Sequence, residues 1–217
     1  IAQQKEPGPA EPPVQRREIR TADADGKNRY LYLYTRGSDR KKRPKNYVVA
    51  EVRQAVAASD TDAYPNLKLE YRIRKDEFRG TEGANANVIV TGHAKGQAES
   101  RFILAYQFGA PCSRFAMKRL RGPVTSLRAE PNLEEWQELS LNVRADYEAY
   151  ADGPPWEELD LHNLVVTLGV FNEDFAPKGV PAEVGVAFDT IAWNMNAGAT
   201  TPTPRFAPRR LTPRRRP

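Results

Sequence analysis

The 217-residue chain has one cysteine and two histidines. With Cys112 alone, neither an internal disulfide nor a multi-cysteine zinc site can form. Cys112, beside Pro111, reads as a small loop residue. His93 and His162 accompany no G-x-S-x-G and no second thiol, so no nucleophile constellation for catalysis is in view. No apolar run reaches the length needed to cross a bilayer. Glycine-rich phosphate loops, βαβ alternation and internal repeats are also lacking, which argues against a nucleotide-binding α/β fold.

What is present is an ordinary globular composition, 40% hydrophobic and 28% charged, with unevenly placed charge. The formal net charge is +5, and the last thirteen residues, "RFAPRRLTPRRRP", hold six arginines and no acid. Without them the balance is −1, so the body of the protein is close to neutral. A second basic run, "RGSDRKKRPKN" over Arg36–Asn46, sets six cations against Asp39. Such patches attract acidic proteins, anionic lipid surfaces or phosphate backbones, unless they are simply solvated. Neither patch is interleaved with stacking aromatics, and no helix-turn-helix, zinc-finger or RNA-recognition pattern occurs. Sequence-specific nucleic-acid binding is therefore not expected.

Residues 1–20 and 198–217 are rich in proline and lack an apolar periodicity, so they read as extended arms around a domain spanning 21–197. The chain starts at Ile1 without methionine, which fits removal of a secretory leader or an organellar presequence; export is the favoured expectation. Inside the arms the pattern is mostly β. In "NLKLEYRIRK", Leu67, Leu69, Tyr71 and Ile73 alternate with Lys68, Glu70, Arg72 and Arg74. "RYLYLYTR", "NANVIVTGHA", "SRFILAYQFG", "EWQELSLNVRADY" and "NLVVTLGVFN" read as further strands, while "NYVVAEVRQAVA" fits a strand or a helix. A short helix is expected around 114–120. In "PAEVGVAFDTIAWN" the apolar set Val184, Val186, Phe188 changes phase after Asp189 and resumes at Ile191 and Trp193, as a strand carrying a bulge would. Strands separated by Gly- and Pro-rich turns predict an all-β sandwich or barrel.

The order "NLKLEYRIR … ANANVIV", "EEWQELSLNV" and "LVVTLGVFN … AEVGVAFDTIAWN" resembles the galactose-binding-like jelly-roll superfamily. That superfamily includes many carbohydrate-binding modules and the domain of the complex I intermediate-associated assembly factor. The W-x-x-L from Trp136 to Leu139 and the Phe188-Asp189-Thr190-Ile191 run carry the likeness. It implies a jelly-roll β-sandwich with Trp136 and Trp193 in the scaffold. Thr190 stands where many members have a second aspartate.

Candidate site residues follow. Tyr30, Tyr32 and Tyr34 share one strand face and serve either as a sugar-stacking platform or as packing. Trp156, after "DGPP", is the best candidate for an exposed aromatic. Asp189 either closes a turn or binds a structural calcium, for which Asp146, Glu148, Asp152, Glu157, Glu158 and Asp160 offer oxygens; no other cofactor is expected. Arg209, Arg210, Arg214, Arg215 and Arg216 would bind an acidic partner. Two functions fit: the favoured one is a non-catalytic structural subunit that docks on other protein subunits through its sandwich and arms, and the alternative is an exported carbohydrate-binding module. The first predicts that removal of 199–217 leaves a folded sandwich unable to assemble.

Overall fold

Alternation of apolar and polar residues at a spacing of two gives most segments one face to bury, and they pair into two stacked sheets. The structure, a computed structural model, describes residues 12–21, 28–38, 47–58, 65–79, 84–109, 123–173, 180–194, 203 and 206–208. Its strands are β1 (Val14–Thr21), β2 (Arg29–Arg36), β3 (Tyr47–Val56), β4 (Asn66–Arg72), β5 (Phe78–Arg79), β6 (Ala84–Ala94) and β7 (Gln97–Gly109). They continue with β8 (Val124–Ala129), β9 (Gln137–Asn142), β10 (Leu164–Glu173), β11 (Glu183–Asn194) and β12 (Ala207–Pro208). Among the described residues one α-helix, α1 (Val143–Tyr150), follows β9. The first sheet runs β1-β2-β11-β4-β9, with β5 added beside β11; the second runs β12-β8-β7-β6-β10-β3. Successive strands cross repeatedly between the sheets, and the expected all-β jelly-roll sandwich is what they form.

The core lies between the sheets. Leu67, Leu69, Tyr71 and Ile73 are buried, as their alternation requires, and meet Val88, Leu104, Tyr106 and Phe108 of the second sheet in one cluster. The ambiguous "NYVVAEVRQAVA" is a strand, edge strand β3, paired with β10. The phase change in the last long strand is also real: β11 pairs with β4 from Ala187 to Asp189, shifts register, and resumes at Ala192–Asn194. Thr190 sits in the shift at φ +49, the left-handed region.

Three expectations are corrected. Val14–Thr21 is not part of a free arm; it pairs along its whole length with β2. "NVRADY" does not continue its strand, because α1 starts at Val143. The carboxyl arm is not independent of the sandwich either. Phe206 joins the core, edge-on to Tyr106 and Phe108 at 5.2 and 5.5 Å, and β12 pairs with β8. The helix expected near 114–120, Cys112, the basic run from Asp39 to Asn46, and Arg209, Arg210, Arg214, Arg215 and Arg216 lie outside the described residues.

Candidate functional site

The tyrosine strand β2 sends Leu33 into the core and turns Tyr30, Tyr32 and Tyr34 to the opposite, outer face of the first sheet. Cross-strand partners share a face. Arg16, Glu18 and Arg20 of β1 therefore stand on one side of these rings, and Gly185 and Ala187 of β11 on the other. This arrangement buries two of the three tyrosines. The Arg20 guanidinium lies 3.4 Å from the Tyr32 ring centroid, and that of Arg16 lies 5.4 Å from Tyr34. Tyr34 donates its hydroxyl to Glu183, which also pairs with Arg79, and Tyr32 bonds Glu77 of the short 3-10 helix Lys75–Glu77. Tyr32 and Tyr34 are 4% and 9% exposed. As a ligand platform these two are corrected: strand β1, absent from the expected domain, roofs them with charge. Burial, then Glu183, pushes the Tyr34 phenol up to about 12, and burial with Glu77 lifts Tyr32 further. Gly185 is the close-approach point of this cover. A Cβ there would lie 2.8 Å from both the Tyr32 hydroxyl and the Glu77 carboxylate.

Tyr30 differs. It is half-buried and meets half-buried Trp136 edge-on, with ring centroids 5.7 Å apart. The Arg72 guanidinium lies 4.9 Å from the Trp136 ring and 6.0 Å from the Tyr30 ring. Beside them opens a small cleft walled by Tyr30, Tyr32, Arg20, Arg72, Arg74 and Glu77, with Ala187 in its lining. The next row of the same face places three acids on adjacent strands, Asp189, Glu70 and Glu138.

Trp136 was expected in the scaffold, but it faces outward. The alternation in "WQELSLN" already contained this result: Leu139 and Leu141 point inward, so positions 136, 138 and 140 share the outer face. Trp193 packs partly against the core and donates its indole N–H to the Ala57 carbonyl at 2.8 Å. Trp156 is corrected in the other direction. It is 1% exposed and packs edge-on to Tyr147 at 5.6 Å, because the turn after α1 folds it back into the core. It cannot serve as an exposed platform.

Asp189 has a local role. Its Oδ1 accepts the Thr190 backbone N–H at 2.7 Å, stabilising the bulge. Among the described residues no group of three or more His, Cys, Asp or Glu side chains is placed to hold a metal. The acids proposed as calcium ligands are dispersed. Asp146 is buried against Tyr106 and Thr203, Glu148 and Glu157 bond Arg144, and Asp160 holds Asn163. His93 Nε2 lies 3.9 Å from Asp160.

A second groove crosses the outer face of the second sheet, with Glu51, Arg53, Thr91, Arg101 and Thr167 over Ile89 and Val165. It contains no aromatic ring among these lining residues.

No protein-family model and no curated protein matches the sequence. Solved structures do match the fold. One is a carbohydrate-binding module from a β-sandwich superfamily with promiscuous specificity, at 12% identity over 86% of this chain and 55% of that one, TM-score 0.42. Another is a carbohydrate-binding module specific for non-crystalline cellulose, at 15% identity over 84% and 82%, TM-score 0.41. A third is an exo-β-agarase, at 11% identity over 90% of this chain and 24% of that one, TM-score 0.42. The chain thus spans about half the length of the first of these and about a quarter of the agarase. The two-sheet assignment stands on the strand pairing itself.

Proposed function

We propose that this sandwich is a non-catalytic carbohydrate-binding module whose ligand lies on the outer face of the first sheet, across Tyr30 and Trp136. The observation that carries the reading is the juxtaposition of these two half-exposed rings with a cleft of charged side chains. Sugar rings offer C–H faces that pack on aromatic surface and hydroxyls that need donors and acceptors. A site of two rings, fixed guanidinium groups and a carboxylate supplies both. The structural-subunit reading required arms that order only on a partner, whereas β1, Thr203, Phe206 and β12 pack on this chain's own sandwich. An exported location suits a glycan binder.

Screening the protein against immobilised plant, algal and microbial polysaccharides, followed by calorimetry, tests the proposal. Tyr30→Ala and Trp136→Ala are each expected to weaken binding by about tenfold or more, equivalent to roughly 1.4 kcal/mol. Tyr34→Phe, at a buried ring, should leave affinity nearly unchanged. If no polysaccharide binds, or if Trp136→Ala binds as tightly as the parent chain, the reading is wrong.

A further inference from the structure

We infer that the open face carrying Tyr30, Trp136 and Arg72 recognises an acidic saccharide, a uronate residue flanked by neutral sugars, and that Arg72 binds its carboxylate. The inference rests on the glycan reading of the same face and specifies the ligand class.

Arginines on this face are mostly matched with acids. Arg20 bonds Glu18 at 2.9 Å, Arg74 bonds Asp76 at 2.9 Å, and Arg79 pairs with Glu183. Arg72 is different. Two aromatic rings hold its guanidinium, its Nε is buried without an acceptor, and no carboxylate pairs with it among the described residues. Glu70, two residues along the same strand face, makes no ion pair with it. A guanidinium fixed by packing, with an unsatisfied nitrogen, has lost rotamer freedom and part of its hydration without receiving a charged partner. A planar carboxylate supplies that partner at the outer Nη1 and Nη2 nitrogens, the buried Nε lying out of a ligand's reach, and the fork held by packing makes the contact selective.

The surroundings limit where negative charge is accepted. Asp189, Glu70 and Glu138 form the neighbouring row across β11, β4 and β9. Carboxylates there accept hydrogen bonds from hydroxyls and repel further anions. A ligand matching both rows has one acid group at Arg72 and hydroxyl-bearing sugars beside it. A densely sulfated chain does not match, because its next anions would meet the acidic row.

The test uses the full chain with a panel of sparsely acidic polysaccharides, including glucuronoxylan. Each is compared with its carboxyl-reduced form, with neutral glucans and galactans, and with a sulfated galactan. One uronate-bearing polysaccharide should bind at least tenfold tighter than its reduced form. Arg72→Ala should remove that preference, and Arg72→Lys, which keeps charge but not the fork, should recover only part of it. Glu70→Gln with Glu138→Gln should relax the discrimination against the sulfated galactan. Because carboxyl reduction alters only the ligand, the test does not depend on whether an Arg72 variant folds. Equal binding of acidic and reduced forms, or preference for a neutral or sulfated chain, overturns the acidic inference; loss of that binding in Trp136→Ala would still leave the glycan reading standing. Absence of binding across the whole panel overturns both.

Discussion

Tyr32 and Tyr34 show how a residue on the solvent side of a sheet acquires the properties of an interior group. Their rings point away from the core, yet guanidinium groups from β1 cover them and carboxylates accept from their hydroxyls. Ionising either phenol would set a phenolate in a desolvated site against a carboxylate, so both hold their protons above the usual range. Tyr106 of the second sheet, fully buried against Asp146, is raised by burial and by that carboxylate, and Tyr147 of α1 is raised by burial. A 295 nm titration of the folded chain should therefore show that Tyr32, Tyr34, Tyr106 and Tyr147, four of the nine tyrosines, remain protonated through the ordinary phenol range. The linkage follows directly. Between about pH 10 and about pH 12 the unfolded chain releases the Tyr34 proton while the folded chain keeps it, so stability declines as pH rises across that window. Tyr34→Phe should flatten this part of the decline. Complete ionisation of all nine tyrosines near pH 10 without loss of structure would contradict the buried arrangement.

At the scale of the element, β11 shows both what the sequence made legible and where it fell short. The apolar rhythm before and after Asp189 disclosed the register shift, because a period of two cannot change phase without an irregularity. Strand β4 was equally clear from Leu67 onward, where buried Leu67, Leu69 and Tyr71 alternate with Lys68, Glu70 and Arg72, although Asn66 before them is buried too. The candidate site was less legible. The outward direction of Arg72 and the phase of Trp136 could be read, but their convergence with Tyr30 depends on the order β2-β11-β4-β9, which no local pattern encodes. Strand β1 was missed because "VQRREIRT" carries little apolar signal; it is an edge strand whose outward charges cap tyrosines. Helix α1 was missed because its first residues continued a strand-like alternation, although Arg144 and Glu148, four apart and bonded at 2.7 Å, marked a helical face. The bulge itself yields a prediction. Thr190 is β-branched and held at φ +49, a conformation that costs a non-glycine residue about 1–2 kcal/mol, partly offset by the Asp189 bond to its N–H. Thr190→Gly should raise stability by up to roughly 1 kcal/mol after the entropic cost of glycine in the unfolded chain. Asp189→Ala should lower it, measured by thermal melting. A destabilised Thr190→Gly would show that the threonine side chain contributes more than its backbone costs.

For the whole molecule the decisive contact is made by the segment composition would discard. Thr203 donates its backbone N–H at 2.7 Å to the Asp146 carboxylate and its hydroxyl to the same group, while Tyr106 donates to it from the second sheet at 2.7 Å. Asp146 is 0% exposed, and burial raises its pKa although all three donors oppose the shift. Phe206, three residues on, fills the core beside Tyr106 and Phe108. The carboxyl segment thus ties α1, β7 and β8 together and helps complete the sandwich. Removing residues 203–217 would delete a buried phenylalanine, worth about 3–5 kcal/mol, and strip a buried carboxylate of two donors at about 1–3 kcal/mol each. Against the 5–15 kcal/mol that holds a typical domain, that loss is most of the total. The expectation that a chain lacking 199–217 stays folded is therefore reversed. Truncation after residue 202 should lower the melting temperature sharply or abolish the transition, with Phe206→Ala and Thr203→Val each reproducing part of the loss. Truncation after Pro208, which removes Arg209, Arg210, Arg214, Arg215 and Arg216 but keeps the tie, should melt close to the full chain. If the two truncations melt alike, Thr203 and Phe206 do not complete the core; if only the shorter chain fails, residues 203–208 belong to the domain and the arginines beyond them do not stabilise it.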